Sequence, residues 1–528
     1  MPAVLPVLDA AAVRQALRSR SEIALLDVRE EALHAESHPL FAANMPLSRL
    51  ELDAWSRPPR SDVPIVVMDS GEGLAERAVA RLTALGYTKV HLLEGGLIGW
   101  AASGGELFSD VNVPSKAFGE LVEAVRHTPS LPADAVKRLI DEGADVAIVD
   151  ARRFDEYRTM SIPSATSVPG GELALRIRDI APDPDTQVIV NCAGRTRSII
   201  GAQSLINAGI PNRVFALRNG TIGWTLAGYA LSSGATARHG EVSENHRELA
   251  ARAARALADR AGVERLSWEA LRDLEADTMR TLYRFDVRTP EEFALAHAAG
   301  FISAPGGQLV QETEMFAPVR GARVVLADDD GVRASMTGHW LAQMGWQVFV
   351  LPPLGPAELS EQGAPISLAP HAPAVPGVSV AEAQRLLASG TALALDVGPS
   401  ARYVKRHVDG AWFILRARLA DDLHRLPIAQ HYIVTADEVE LAAWAAADLR
   451  ALVDATVHVL AGGNVAWFAA GGAEGAGDAR LASPRIDRYR RPYEGTDNPA
   501  SAMQAYLDWE YGLVAQLERD ATHGFRVI

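Results

Sequence analysis

The sequence predicts an α/β chain of tandem modules, each a parallel sheet flanked by helices. Three observations carry this. An apolar run ending in Asp recurs four times, as Leu26-Asp27-Val28-Arg29, Val149-Asp150-Ala151-Arg152, Phe285-Asp286-Val287-Arg288 and Leu395-Asp396-Val397-Gly398. The spacing from that Asp to a loop after a second apolar run is nearly constant: 42 residues from Asp27 to Asp69, from Asp150 to Cys192 and from Asp286 to Asp328, and 40 from Asp396 to Ala436. Between these runs lie segments of helical period, the alternation of strands with crossover helices that builds a parallel sheet. Each unit is longer than a solenoid repeat and large enough to hold its own core.

Taken in order, each module opens with an amphipathic helix, near 9–19, 132–142, 267–275 and 379–389. Apolar residues recur there at three- and four-residue spacing, as in Ala135, Val136, Leu139 and Ile140. Asp9, Ser267 and Ser379 are natural N-caps. The strand ending in Asp follows, then a variable stretch. A second strand, such as Val188-Ile189-Val190, leads to the loop; a helix from Ser198 to Asn207 comes next, then a last strand, Val214-Phe215-Ala216-Leu217. Modules 1, 2 and 4 close alike, in Gly-Gly-Leu-Ile-Gly-Trp100, Asn-Gly-Thr-Ile-Gly-Trp224 and Gly-Gly-Asn-Val-Ala-Trp467, whereas module 3 runs Leu351-Pro352-Pro353-Leu354-Gly355-Pro356.

These boundaries divide the chain into modules at 1–112, 113–235, 263–358 and 372–475. Residues 236–262 read as a charged, Ala-rich helix, a solvated spacer between halves of the chain. Residues 356–378 read as a Pro/Ala/Gly linker. The tail, 476–528, has no counterpart in the other units. Its Asn498-Pro499 resembles a helix start, and Met503, Tyr506, Leu507, Val514 and Leu517 share one helical face. That face needs a surface to cover, which the chain's own modules offer first.

The composition is that of a globular chain, 48% hydrophobic and 22% charged. A net charge of −15 argues against nucleic acid and anionic membrane surfaces as principal partners. No apolar run approaches the roughly 20 residues that span a bilayer. The start, Met1-Pro2-Ala3-Val4-Leu5-Pro6, has no basic segment followed by a long apolar core, so no signal peptide is expected and a reducing cytoplasm is the expected compartment. A single cysteine excludes an intrachain disulfide and a Cys-based zinc cluster, and no metal or cofactor is implied.

That cysteine, Cys192, sits in Asn191-Cys192-Ala193-Gly194-Arg195-Thr196-Arg197-Ser198, at the carboxyl end of a strand, where ligands bind in such sheets. A tight loop running into a helix aims backbone N–H groups at one point, binds anions and favours a thiolate. Cys192 is therefore the expected nucleophile, with a thiol titrating below the free value of about 8.5. The N–H groups of Ala193 to Ser198 are the expected anion cradle. Arg195 and Arg197 are the expected ligands of an anionic substrate. Gly194 is expected to supply a backbone conformation other residues avoid, and Ser198 to cap the helix. Asp150 and Arg152 recur in modules lacking cysteine, so a supporting salt link is expected of them.

Strand, Asp-x-Arg, a Cys-Ala-Gly-Arg-Thr-Arg loop 42 residues on, a helix and Asn-Gly-x-x-Gly-Trp resemble the rhodanese sulfurtransferase family. The resemblance covers about residues 1–475 as four rhodanese-like modules and is strongest over 130–232. It implies transfer of sulfane sulfur through a Cys192 persulfide. The donor would be a small anion such as thiosulfate; the acceptor, cyanide, a small thiol or a protein thiol. Family members of two modules pair an inactive first with a cysteine-bearing second. Modules 1 and 2 match that plan, so a 1–235 fragment is expected to retain transfer to a small acceptor. The sequence departs from the family at Met160-Ser161-Ile162, which lacks the usual Gly-His-Ile, and its loop matches neither the thiosulfate nor the mercaptopyruvate form, which leaves the donor open. The loops at Asp69 and Asp328 put carboxylates where the anion would sit and the loop at Ala436 offers no nucleophile, so modules 1, 3 and 4 read as structural or docking units. Two other readings stand beside this one. One is a non-enzymatic persulfide sensor or scaffold. The other is a Cys-dependent phosphatase or arsenate reductase, although Cys192 and Arg197 are one residue closer than a Cys-x5-Arg loop requires.

Overall fold

The computed structural model describes residues 5–364 and 368–528. The first four residues of the expected leader-free start and part of the expected 356–378 linker lie outside the described residues. Among the described residues four parallel sheets form, one per module. In module 2 the strand order is Ser130–Leu131, Val214–Leu217, Gln187–Asn191, Val146–Asp150, Thr166–Ser167. Modules 3 and 4 repeat that order strand for strand, and module 1 repeats it with one strand added at its edge. The addition is Val319–Arg320 of module 3, which pairs antiparallel with module 1 at Val319↔Ala24 and Arg320↔Ile23.

The opening helices form where amphipathic spacing placed them. Asp9 accepts from Ala12 N–H at 2.6 Å, Ser267 from Ala270 at 3.1 Å and Ser379 from Glu382 at 3.2 Å. The central strands are buried on both faces, as continuous apolar runs in a covered parallel sheet must be: Val188, Ile189 and Val190 are fully enclosed.

The modules pair through equivalent segments at the starts of short helices. Gly171 of module 2 and Gly307 of module 3 each lie 21 residues beyond their strand-end Asp, and they face one another so closely that a Cβ on either would stand 2.9 Å from the other's N. Ser48 of module 1 and Ala417 of module 4 hold the same position, and Ala417 N–H donates to Ser48 Oγ at 3.1 Å. Module 2 thus meets module 3, and module 1 meets module 4. Two buried arginines fasten these contacts: Arg333 of module 3 to Glu172 of module 2 at 2.9 Å, and Arg416 of module 4 to Glu51 of module 1 at 2.9 Å.

The helix Glu244–Ala261 differs from the expected solvated spacer. Its Ala250, Ala254, Leu257, Ala258 and Ala261 are buried, and it lies along the helix Arg333–Gln343. Small side chains on one face allow that close approach while the charges point outward. The tail also breaks at Gly512 into helices Ala500–Tyr511 and Leu513–Asp520, so that Leu513 rather than Val514 joins Met503, Tyr506, Leu507 and Leu517 in the buried face. No helix among the described residues is long and apolar enough to cross a membrane.

Candidate active site

The strand Gln187–Asn191 delivers Cys192 to a loop that enters the helix Thr196–Asn207. That helix starts two residues before the expected Ser198. Arg195 is the N-cap residue, and the Ser198 hydroxyl, inside the first turn, donates back to Arg195 C=O at 2.7 Å. The neighbouring helix Gly220–Leu226 fixes the loop's carbonyls. Thr221 N–H donates to Cys192 C=O at 2.9 Å and Ile222 N–H to Ala193 C=O at 3.0 Å. Gly220 permits this with φ +54°, where a side chain would strike the loop backbone. With its carbonyls tied outward, the loop leaves N–H groups and the helix N-terminus for the interior.

The cysteine-less modules display what that interior holds. In module 1 the Asp69 carboxylate, at the cysteine's position, accepts from Gly71, Leu74 and Ala75 N–H at 3.0, 2.8 and 3.0 Å. In module 3 Asp328 accepts from Gly331 and Ala334 N–H at 3.0 and 2.8 Å. In both modules a carboxyl group fills the N–H nest, and in module 3 burial and the neighbouring Asp330 push Asp328 up. Ser198 stands where Ala75 and Ala334 stand, six residues past the nest's first position. Its N–H donates to the sulfur and its hydroxyl oxygen accepts from the thiol, with Sγ 3.5 Å from Oγ.

Beneath the loop, Arg152 Nε and Nη2 donate to Asp150 at 2.9 and 2.7 Å, and Asn191 Nδ2 donates to Asp150 at 2.9 Å. Arg152 also holds the Met160 carbonyl at 2.6 Å. The same fork joins Asp27 to Arg29 and Asp286 to Arg288. Module 4 has Gly398 in place of the arginine, and burial there pushes Asp396 up to about 6.

The two loop arginines part company. Arg197 reaches Glu156 in a bidentate pair at 2.8 and 2.9 Å and lines the space beside the sulfur. Although burial opposes it, that pairing holds Glu156 down at about 2. Arg195, expected beside it as an anion ligand, is instead buried in a second ion pair. It donates to Glu120 at 2.7 and 2.8 Å, to Glu123, and to Tyr511 Oη at 2.8 Å. Its guanidinium ties the loop to the helix Val113–Arg126 and to the tail.

The tail closes over the cysteine. Ala193 packs with Ile222, Tyr493, Met503, Tyr506 and Leu507. Gly194 is not at positive φ; what its missing side chain provides is room, since a Cβ would stand 3.0 Å from the Tyr506 ring and 3.1 Å from Glu510 Oε2. Thr196 Oγ1 lies 3.5 Å from Glu510 Oε1. Cys192 is 1% exposed and borders a cavity of about 20 Å³ together with Lys116, Arg197, Gln311, Tyr493, Tyr506 and Glu510. The expected depressed thiol is therefore not found in this closed arrangement. Burial pushes the Cys192 thiol up and Glu510 adds to it, outweighing Arg197 and the Ser198 hydrogen bonds.

Arg197 and Gln311 also border a cleft of about 610 Å³ between modules 2 and 3. Its walls are the two Pro-Gly-Gly turns, 169–171 and 305–307, with Arg153 and Arg238 at the rim. Sequence reasoning found the loop and the Asp–Arg fork but missed Lys116, Glu120, Gln311, Tyr493 and Glu510. The one signal for Glu510 was its place, three residues after Leu507, on the tail's apolar face.

Residues 9–103, 132–227 and 379–470 each match the rhodanese-like domain. The module at 263–358 is outside those matches and is identified by its strand order. The chain is similar to the crystal structure of a thiosulfate sulfurtransferase from Pseudomonas aeruginosa, with 58% identity and a TM-score of 0.98 over 99% of this chain and 100% of that one. It is also 26% identical over 235 residues to a thiosulfate sulfurtransferase of Azotobacter vinelandii, covering 37% of this chain and 86% of the relative. A further thiosulfate sulfurtransferase from Pseudomonas aeruginosa is 28% identical over 219 residues, covering 34% of this chain and 79% of its own. Repeated sheet, cysteine loop and full-length likeness agree, and the chain belongs to the rhodanese family as a sulfurtransferase of that type.

Proposed function

We propose that this chain takes the outer sulfur of thiosulfate onto Cys192 and passes it to a thiophilic acceptor such as cyanide or a small thiol. The observation that carries this is the comparison of loops within one chain. The loop position whose N–H set holds a carboxyl group at Asp69 and Asp328 carries a sulfur nucleophile at Cys192, with the Ser198 N–H on its sulfur. An anionic persulfide on Cys192 extends into that set and is stabilised where its charge lies. In the first half-reaction the Cys192 thiolate attacks the outer sulfur, the S–S bond of thiosulfate breaks, and sulfite leaves with the electron pair. In the second, the acceptor attacks the outer persulfide sulfur and Cys192 leaves as thiolate.

Arg197 is the donor's cationic ligand in this reading, because it borders both the cysteine cavity and the cleft between modules 2 and 3. A cavity of about 20 Å³ holds about one water, so a five-atom donor needs the Arg197 side or the tail to shift. Steady-state thiosulfate and cyanide turnover in wild type and Cys192→Ser tests the proposal. Many turnovers per chain in wild type and none in the variant are expected. Residual turnover in the variant, or a wild type that stops after one equivalent of sulfur, overturns it, and the second outcome is the behaviour of a sensor.

A further inference from the structure

We propose that Glu510, brought from the C-terminal tail, is the proton acceptor and donor for Cys192 during sulfur transfer. This rests on Cys192 as the sulfur carrier. Glu510 lies 318 residues from Cys192 in sequence, yet both border the same cavity of about 20 Å³. The side chain is fully buried. Oε1 accepts from the Tyr506 hydroxyl at 2.8 Å and has the Thr196 hydroxyl at 3.5 Å. Oε2 is buried with no hydrogen-bond partner among the described residues, and it lies at the open face of Gly194 in the cysteine loop. An unsatisfied buried carboxyl oxygen is costly, and the cavity it shares with the thiol has room for one bridging water.

The charges around Glu510 explain why it is free to carry a proton. Lys116 is bound to Asp110 at 2.6 Å and lies over the Tyr493, Tyr506 and Trp509 rings. Arg195 is bound to Glu120 and Glu123, with Tyr511 beside it, and Arg197 is bound to Glu156. Each cation facing the site has a carboxylate of its own, and Glu510 forms no ion pair among the described residues. Burial and the nearby Glu120 push Glu510 up to about 8, with Lys116, Tyr506 and Arg195 opposing, which places it near the pH at which a general base and acid works best.

The proton is conserved over a cycle. Glu510 carboxylate takes the Cys192 thiol proton, either directly or through one water, and the thiolate attacks thiosulfate and expels sulfite. The persulfide is anionic and needs no proton. When the acceptor removes the outer sulfur, the departing Cys192 thiolate takes the proton back from Glu510. Such a partner suits a thiol that burial pushes up rather than down.

The test uses the full chain with Glu510→Gln, which keeps the size of the side chain and its contact to Tyr506, and with Glu510→Asp. Sulfite release in a single turnover is followed across neutral to alkaline pH, with Cys192 persulfide measured by mass. Wild type is expected to speed up through an inflection near the Glu510 value. Glu510→Gln should be slower at neutral pH by on the order of 100-fold, without that inflection, and Glu510→Asp should keep an inflection. A Glu510→Gln profile matching wild type in rate and shape overturns the proposal, as does a uniform loss that leaves the inflection in place. Failure of wild-type Cys192 to acquire sulfur would instead overturn the sulfur-carrier reading on which the proposal rests.

Discussion

Replacing Arg195 and Arg197 separately by alanine should produce opposite phenotypes, although the two lie in one loop. Arg195 is 3% exposed and its partner Glu120 is 4% exposed. Removing the guanidinium strands a buried carboxylate, which costs roughly 3–5 kcal/mol when a buried ion pair loses one member. It also releases Tyr511 and Glu123, so the loss falls on the junction of loop, connecting helix and tail. At 1.4 kcal/mol per tenfold, amide protection in the helix Thr196–Asn207 should drop by roughly 100-fold to several thousand-fold. Arg197 borders the cleft and is paired with a partly exposed Glu156. Arg197→Ala should leave that protection largely intact and lower kcat/KM for thiosulfate by about 1–3 kcal/mol of charge-assisted contact. Hydrogen exchange resolved along the chain, with thiosulfate kinetics on the same preparations, reads both effects. Unchanged exchange in Arg195→Ala, or equal thiosulfate kinetics in Arg197→Ala and wild type, would refute the division of roles.

Two further outcomes follow from the same geometry. Gly194→Ala places a methyl 3.0 Å from the Tyr506 ring and should push the tail off the loop, seen as faster alkylation of Cys192; an unchanged alkylation rate would show that the tail does not seal the site. Glu156 is held at about 2 in the folded chain, below its ordinary 4.5, so the Arg197–Glu156 pair stabilises the loop above about pH 4.5 and loses that contribution as pH falls toward 2. Melting midpoints of wild type and Glu156→Gln should therefore differ at neutral pH and converge in acid, and a constant difference would contradict the assignment.

The parts legible in the sequence were those written in local pattern. The strand-end Asp, the constant spacing to the loop and the helical period of the opening segments each need only neighbouring residues. The Asp150–Arg152 fork was legible because it recurs two residues apart in three modules. What was hidden depends on distant chain. Arg195 was expected to face a substrate because its partner Glu120, 75 residues earlier, gives no sign of facing the loop. The depressed thiol was inferred from a helix N-terminus and two cations; the tail that buries the sulfur and neutralises this advantage arrives from beyond residue 490. The match of modules 1 and 2 to a complete two-module unit likewise concealed that Gln311 of module 3 and Glu510 of the tail border the cysteine. A 1–235 fragment would lack both. The Pro-Gly-Gly turns at 169–171 and 305–307 were visible as sequence, but only packing shows that they face each other.

The most direct test of the central claim is the mass of the Cys192 peptide before donor, after thiosulfate and after a following acceptor. The account expects one added sulfur atom on that peptide after thiosulfate, with sulfite released in equal amount, and return to the original mass after cyanide. A peptide that gains no sulfur while the chain still turns over thiosulfate, or one that keeps its sulfur in the presence of every thiophilic acceptor, would contradict it.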